Sequence, residues 1–168
     1  MNKKKVNDDI LCMIIGLWSK KPIEILPTKE LYRLNQLGFI IGGSTALNIY
    51  GYTFDRSLDE AGDSSKEIDL ITNNQEYIAN PSLMDSFFRE CKIINRYSGC
   101  DSIICYEDEY SQQKYDIIKS HNIIDFRIVD YDGFQLKIQN EKAIWDAKRE
   151  YANNGSRKHI DDLKKYNK

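Results

Sequence analysis

Glu67 and Asp69 stand two residues apart in Glu67-Ile68-Asp69-Leu70-Ile71, a segment whose polar and apolar residues alternate. In a strand, side chains two apart share a face about 6.6 Å apart along the chain, so both acids point together while Ile68 and Leu70 turn into a core. Carboxylates held side by side repel unless a cation joins them, and hard oxygen ligands suit Mg²⁺, with Mn²⁺ as the substitute. Two such ions about 3.5–4 Å apart are the usual device for in-line phosphoryl displacement. Upstream, Gly42-Gly43-Ser44 follows the apolar run Phe39-Ile40-Ile41. Glycines there remove side chains where a phosphate would approach, and Ser44 opens a helical segment whose first N–H groups attract anions. Neither half is specific alone, since Gly-Gly after a strand is common and paired acids on a strand are usually just solvated. The P-loop pattern and Gly-x-Gly-x-x-Gly are both absent, so the two familiar nucleotide-binding motifs do not apply.

The elements that must position these residues are legible in outline. Thr28 caps a predicted helix through Leu37, with Gly38 ending it before the buried strand Phe39-Ile40-Ile41. Ser44 to Tyr50 is a predicted helix, and a polar, acidic loop runs from Thr53 to Lys66. No register of that loop puts glycine sixth and an acid twelfth, which rejects an EF-hand. Ser82 and Asp85 have capping-box spacing, and Leu83, Met84, Phe87, Phe88, Cys91 and Ile94 form one helical face. Further strands are predicted at Ser102 to Tyr106, Tyr115 to Ile118, Asn122 to Val129 and Phe134 to Ile138, the last two joined by the hairpin signal Asp132-Gly133. Two helical patterns close the chain, Glu141 to Tyr151 and Arg157 to Tyr166. Strands interleaved with helices predict an α/β (α+β) domain: a mixed β-sheet flanked by helices, with a C-terminal helical pair.

The composition sets limits. The 168 residues, 30% charged and 41% hydrophobic, predict a single domain with N-terminal helices over 1–37, a sheet over 38–138 and C-terminal helices over 139–168. A chain of this size buries roughly 70% of its unfolded surface and needs no disulfide or structural metal. With 24 basic against 26 acidic residues, no global field draws it onto nucleic acid or an anionic membrane. The apolar run Ile10 to Trp18 is about nine residues, far below the roughly 20 that span a bilayer, and reads as an amphipathic helix. It lacks the flanks of a secretory signal, so a cytoplasmic protein with no membrane contact is expected. Cys12, Cys91, Cys100 and Cys105 form no Cys-x-x-Cys pair and lie at no zinc-like spacing from His121 or His159.

Taken in order, strand, Gly42-Gly43-Ser44, helix and an acid pair on the next strand resemble the polymerase-beta-like nucleotidyltransferases. Within that superfamily the chain is most similar to the small nucleotidyltransferases of the abortive-infection-toxin type. Ile40-Ile41-Gly42-Gly43-Ser44-Thr45-Ala46-Leu47 resembles that group's opening and Glu67-Ile68-Asp69-Leu70 its metal strand. Asn122-Ile123-Ile124-Asp125-Phe126-Arg127 looks like the strand bearing its third acid, and Lys148 with Gly155 to Leu163 resembles its tail. The resemblance implies transfer of a nucleoside monophosphate from an NTP to an acceptor. Glu67, Asp69 and Asp125 would be the catalytic and metal-binding acids, holding two Mg²⁺ or Mn²⁺ ions, and Gly42, Gly43 and Ser44 would cradle the phosphates. Asp116 is the alternative third acid if the Tyr115 to Ile118 strand, rather than Asn122 to Val129, lies beside Glu67.

Two further nucleotide-binding candidates come from the residues themselves. Arg127 shares a strand face with Asp125, so it is either a triphosphate grip or half of an ordinary ion pair. Lys148 falls between Ile144 and Tyr151 in an apolar stripe, where a lysine snorkels or faces a site. The stretch Glu141 to Lys168 has eight Lys or Arg against five Asp or Glu, net +3, a local charge suited to an RNA end. By family likeness the acceptor is a tRNA end or a protein hydroxyl ahead of a small antibiotic, with a partner subunit or second copy completing the site. The rival reading is an inactive nucleotidyltransferase-fold module that binds a nucleotide or partner protein.

Overall fold

The computed structural model describes residues 28–54 and 67–168. The expected N-terminal amphipathic helix, and Arg56 with the rest of the loop over 55–66, lie outside the described residues.

Helix α1 (Thr28–Gln36) is ended by Gly38 at φ +95°, the left-handed turn that glycine adopts without strain. Its buried Asn35 ties it down: Nδ2 donates to the carbonyls of Phe39 (2.9 Å) and Lys137 (3.0 Å), and Oδ1 accepts from Lys137 N–H (2.7 Å). Strand β1 (Ile40–Ile41) leads through Gly42 into α2 (Gly43–Ile49), and β2 (Glu67–Thr72) follows the loop. After a short helix α3 (Gln75–Ala79) and a 3-10 helix (Pro81–Phe88) come β3 (Cys91–Arg96), β4 (Ser102–Asp108) and β5 (Lys114–Lys119). The hairpin β6 (Phe126–Tyr131) to β7 (Phe134–Gln139) turns at Asp132 (φ +48°) and Gly133 (φ +80°), the paired positive angles of a type I′ turn. Helices α4 (Glu141–Asn153) and α5 (Arg157–Tyr166) close the chain.

The seven strands form one sheet in the order β3-β4-β5-β2-β1-β7-β6. Pairing is parallel for β2 with β5 and for β1 with β7, and antiparallel elsewhere, so the sheet is mixed. Ile68, Leu70, Ile104, Tyr106, Tyr115 and Ile117 are buried with Leu31, Leu34, Phe39, Met84 and Phe88 in the main core. Among the described residues no helix is long and apolar enough to cross a membrane.

Two expected elements differ. The helix predicted from Ser82 through Ile94 ends at Phe88, and Cys91 and Ile94 belong to edge strand β3. The capping box does not form: Ser82 Oγ donates to Asn80 Oδ1 (2.6 Å), while Asp85 accepts from the Tyr106 hydroxyl (2.6 Å), fastening the 3-10 turns to β4. Ile93 pairs with Tyr106 of β4 and Ile94 falls at the register shift that follows, so strand pairing outweighs a helical period. The strand predicted from Asn122 begins only at Phe126.

Phe88 stacks on Tyr106 (ring centroids 4.4 Å, interplanar 13°) and approaches Tyr115 (5.3 Å), locking the 3-10 helix over β4 and β5. Phe88→Ala is expected to cost about 3–5 kcal/mol of stability, the range for a buried aromatic truncation. Urea unfolding would measure it, and a loss within about 0.5 kcal/mol would show that the segment is not part of the core.

Candidate active site

Strand register builds the site. Asp69 on β2 lies directly opposite Asp116 on β5, Asp116 opposite Cys105 on β4, and Cys105 opposite Asn95 on β3. Directly opposed residues on neighbouring strands share a face, so one row of side chains crosses four strands. Glu67, two residues before Asp69, lies on the same face at the exposed start of β2, in register with Lys114.

The two central acids are held under tension. Burial, then the charges of Asp116 and Glu67, push the Asp69 carboxyl up to about 6, against the pull of Lys158 and Lys148. Burial likewise raises Asp116 to about 6, where the Ser102 hydroxyl (Oγ to Oδ2, 3.0 Å) and Lys158 work against it and Glu67 adds to it. The other Asp116 oxygen, Oδ1, is buried without a hydrogen-bond partner. An orphaned carboxylate oxygen beside a second carboxylate is a costly arrangement that a cation would relieve. Cys105 in the same row has its thiol pushed up to about 12 by burial and by Asp116, which removes it as a nucleophile near neutral pH.

Gly43 is dictated by Asp69. Its φ is +56°, and a Cβ there would stand 1.7 Å from Asp69 Oδ2. Gly42 is fixed by a different neighbour: its N–H donates to Asp69 C=O (2.8 Å), and a Cβ would meet Ile71 Cδ1 at 2.8 Å. The glycine pair thus lets β1 and the start of α2 close onto the acid strand. Ser44, in the first turn of α2, has its Oγ 3.4 Å from Lys148 Nζ.

The C-terminal helices supply the positive wall. Lys148 on α4 is only 4% exposed and pairs with Asp162 of α5 (Nζ to Oδ2, 2.7 Å), with Phe54 laid against the ammonium (5.0 Å to the ring centroid). Phe54 is itself held at Tyr166 (5.7 Å), and Lys165 Nζ donates to Thr53 C=O (2.8 Å). Lys158, in the first turn of α5, acts on both Asp69 and Asp116.

Not all predicted residues converge. Asp125 and Arg127 lie at the far edge of the sheet, with β1 and β7 intervening between β2 and β6. At about 4.8 Å per strand that is roughly 14 Å from Asp69. Both are exposed, and Asp125 C=O accepts from Asn140 N–H (2.9 Å). Their charges bear on Tyr50, just past the far end of α2 from Ser44. The expected juxtaposition of Asp125 with Glu67 and Asp69 is therefore absent, because the strand beside β2 is β5, bearing Asp116. Lys158 and Asp162 fall within the Gly155 to Leu163 segment that resembles the family's tail but had no site role assigned from the sequence, and Ser102 was missed altogether.

Asp69 and Asp116 lie in register on adjacent strands, with Glu67 on the same face of β2, and hard carboxylate oxygens of this kind suit a divalent cation. Among the described residues no group of three or more His, Cys, Asp or Glu is placed to hold a metal ion, so one or two carboxylates with substrate oxygens would make up the shell.

No protein-family model and no curated protein matches the sequence. Solved structures do. The solution structure of the antibiotic-resistance factor ANT(2'')-Ia superposes with a TM-score of 0.54 at 13% identity, over 80% of this chain and 77% of that one. The crystal structure of ANT(2'')-Ia in complex with adenylyl-2''-tobramycin gives 0.50 at 12% identity, over 77% and 76%. This chain has a nucleotidyltransferase fold. An antigenic nucleotidyltransferase-like protein from Paracoccidioides brasiliensis gives 0.46 at 14% identity, over 80% of this chain and 68% of that one. The nucleotidyltransferase fold carries the mixed sheet and the C-terminal helices predicted above.

Because Asp69 and Asp116 have folded values near 6, above the ordinary carboxylate value near 4, the fold favours their protonated forms. Their contribution to stability is fullest in acid and is lost as pH rises through about 6. Without divalent ions, Asp116→Asn is therefore expected to be more stable than wild type at pH 7 by on the order of 1 kcal/mol, about 2–4 °C in Tm. The gap should close toward pH 4. Paired thermal melts from pH 4 to 7 check this, and a variant less stable at pH 7 would contradict it.

Proposed function

We propose that the chain is a metal-dependent nucleotidyltransferase, moving a nucleoside monophosphate from an NTP to an acceptor hydroxyl with release of pyrophosphate. What carries the proposal is the carboxylate pair Asp69 and Asp116, in register on parallel strands of a nucleotidyltransferase fold, with a buried Asp116 oxygen left without a partner. Asp116 replaces Asp125 as the third acid. Glu67, Asp69 and Asp116 would hold Mg²⁺, or Mn²⁺, whose role is to neutralise phosphate charge and polarise the phosphorus centre.

The chain's own residues do the rest. Gly42 and Gly43 open the approach to α2, where Ser44 Oγ and the free N–H groups of the first turn receive phosphate oxygens. Lys148, steered toward Ser44 by Asp162, and Lys158 offset the triphosphate charge. The acceptor oxygen bonds to the α-phosphorus, the bond to the α–β bridging oxygen breaks, and pyrophosphate departs with the electron pair. The acceptor proton passes to the Asp116 carboxylate, acting as general base. Catalysis of this kind is mainly positioning and charge neutralisation.

For the acceptor, the toxin-type resemblance favours a tRNA end or a protein hydroxyl, and the net positive C-terminal helices support an RNA end. The adenylyl-2''-tobramycin held by ANT(2'')-Ia makes an aminoglycoside hydroxyl the comparison to run beside them. A partner subunit or second copy would supply further acceptor contacts.

Incubation with Mg²⁺ and each α-³²P NTP, with tRNA, cell-extract protein or an aminoglycoside as acceptor, tests the proposal. Wild type should transfer label to one acceptor class. Asp69→Asn and Asp116→Asn should fall at least about 10²-fold, the usual worth of a positioned acid or base, while Asp125→Asn keeps activity within a few-fold. No label with any acceptor from folded protein would favour the inactive binding module. Loss in Asp125→Asn but not in Asp116→Asn would overturn the acid assignment.

A further inference from the structure

The phosphate end of the site leaves unassigned a pair of rings one step farther out along the same two helices. Lys148 and Tyr151 are three apart on α4, and Asp162 and His159 three apart on α5, so each pair occupies successive turns of one helix face. The helices therefore meet in two rungs. The inner rung is the Lys148–Asp162 ion pair that reaches Ser44. The outer rung is a ring stack, Tyr151 on His159, with centroids 5.0 Å apart and planes 25° from parallel. A 2.7 Å hydrogen bond between Ser156 Oγ and His159 Nδ1 fixes the imidazole and so the pitch of the stack.

The outer rung is not ordinary core packing. Tyr151 remains 51% exposed although its ring stacks on His159. Acids lie near enough to act on it: burial first, then the charges of Asp101, Asp69, Glu150 and Asp116, raise its phenol. Asp101 immediately precedes β4, at the end of the wing that carries Cys105 and Asn95. Tyr151 thus stands one helical turn from Lys148 on α4, within electrostatic reach of Asp69, Asp116 and the Asp101 turn.

A nucleotide makes two unlike demands, cations and N–H groups for its phosphates and a flat apolar surface for its base. The inner rung with Ser44 and Lys158 meets the first, and the outer rung, one helical turn away, meets the second. We infer that the Tyr151–His159 stack is the platform on which the nucleobase of the bound NTP lies. This rests on the nucleotide-binding part of the proposed function. A stack reads a π-face rather than an edge, so it accepts every base and favours the larger purines.

The test is calorimetric titration of the full chain with Mg²⁺ and α,β-methylene ATP, which cannot be turned over, with inorganic tripolyphosphate as the base-less control. Tyr151→Ala is expected to weaken the nucleotide about tenfold or more, the usual worth of a lost base–ring stack, and to leave tripolyphosphate unchanged. Tyr151→Phe should bind as wild type, and Tyr151→Leu, which keeps bulk without a ring, should behave as Tyr151→Ala and guards against a packing loss. The α,β-methylene analogue of CTP should bind more weakly than that of ATP in wild type and lose less in Tyr151→Ala. Equal nucleotide affinity in wild type and Tyr151→Ala would overturn the platform while leaving the nucleotide site standing. Equal losses for nucleotide and tripolyphosphate would assign Tyr151 to the phosphate end and also overturn it. A wild-type protein that binds neither ligand would overturn the platform together with the nucleotide site.

Discussion

Asp69 and Asp116 face each other across parallel strands, partly buried and mutually repelling, and much of the surrounding structure is arranged around that repulsion. Gly43 is left-handed and bare because the Asp69 carboxylate occupies the space a side chain would need. Ser102 spends its hydroxyl on one Asp116 oxygen and leaves the other unpartnered. Lys158 and Lys148, on the C-terminal helices, act on Asp69 as compensating charge. A fold selected for stability alone would pair or remove such carboxylates. Keeping them raised and exposed to a cation is the arrangement that a phosphoryl-transfer site requires.

The C-terminal helices are a structural part of the site. Phe54, Tyr52, Trp145 and Tyr166 form an aromatic cluster that clamps the chain leaving α2 onto α4 and α5. The clamp brings Phe54 over Lys148 and holds the lysine near Ser44. Asp162 gives the buried ammonium a 2.7 Å ion-pair partner. The placement of Lys148 beside Ser44 thus depends on packing remote from the acids, and truncation of the last helix would disturb it through position rather than chemistry.

What the sequence revealed followed the range of the interactions. Glu67, Asp69 and the glycines are local signals, an alternation and a glycine pair after an apolar run, and the structure brings them together. The third acid depended on which strand lies beside β2, a non-local pairing. Asp116 and Asp125 both sit in acid-bearing apolar segments, yet the first is flanked by buried Tyr115 and Ile117 and belongs to a central strand. The second precedes β6, whose residues are mostly exposed, as on an edge. Lys148 stood out because a lysine interrupted an apolar stripe. The Tyr151–His159 stack had no linear signal, since its rings come from two helices whose relative rotation only tertiary packing sets. The misread helix across Cys91 shows the same limit: its 3.6-residue period was real, but pairing with β4 decided the outcome.

The central claim is that Asp69 and Asp116, not Asp125, form the cation site. Titration of the full chain with Mn²⁺, followed by the loss of the free-ion electron paramagnetic resonance signal, tests it without requiring any acceptor or turnover. Stoichiometric Mn²⁺ binding in the presence of nucleotide, abolished by Asp69→Asn and Asp116→Asn and unchanged in Asp125→Asn, is the predicted result. Binding that survives both central substitutions, or that disappears with Asp125→Asn, would contradict the account.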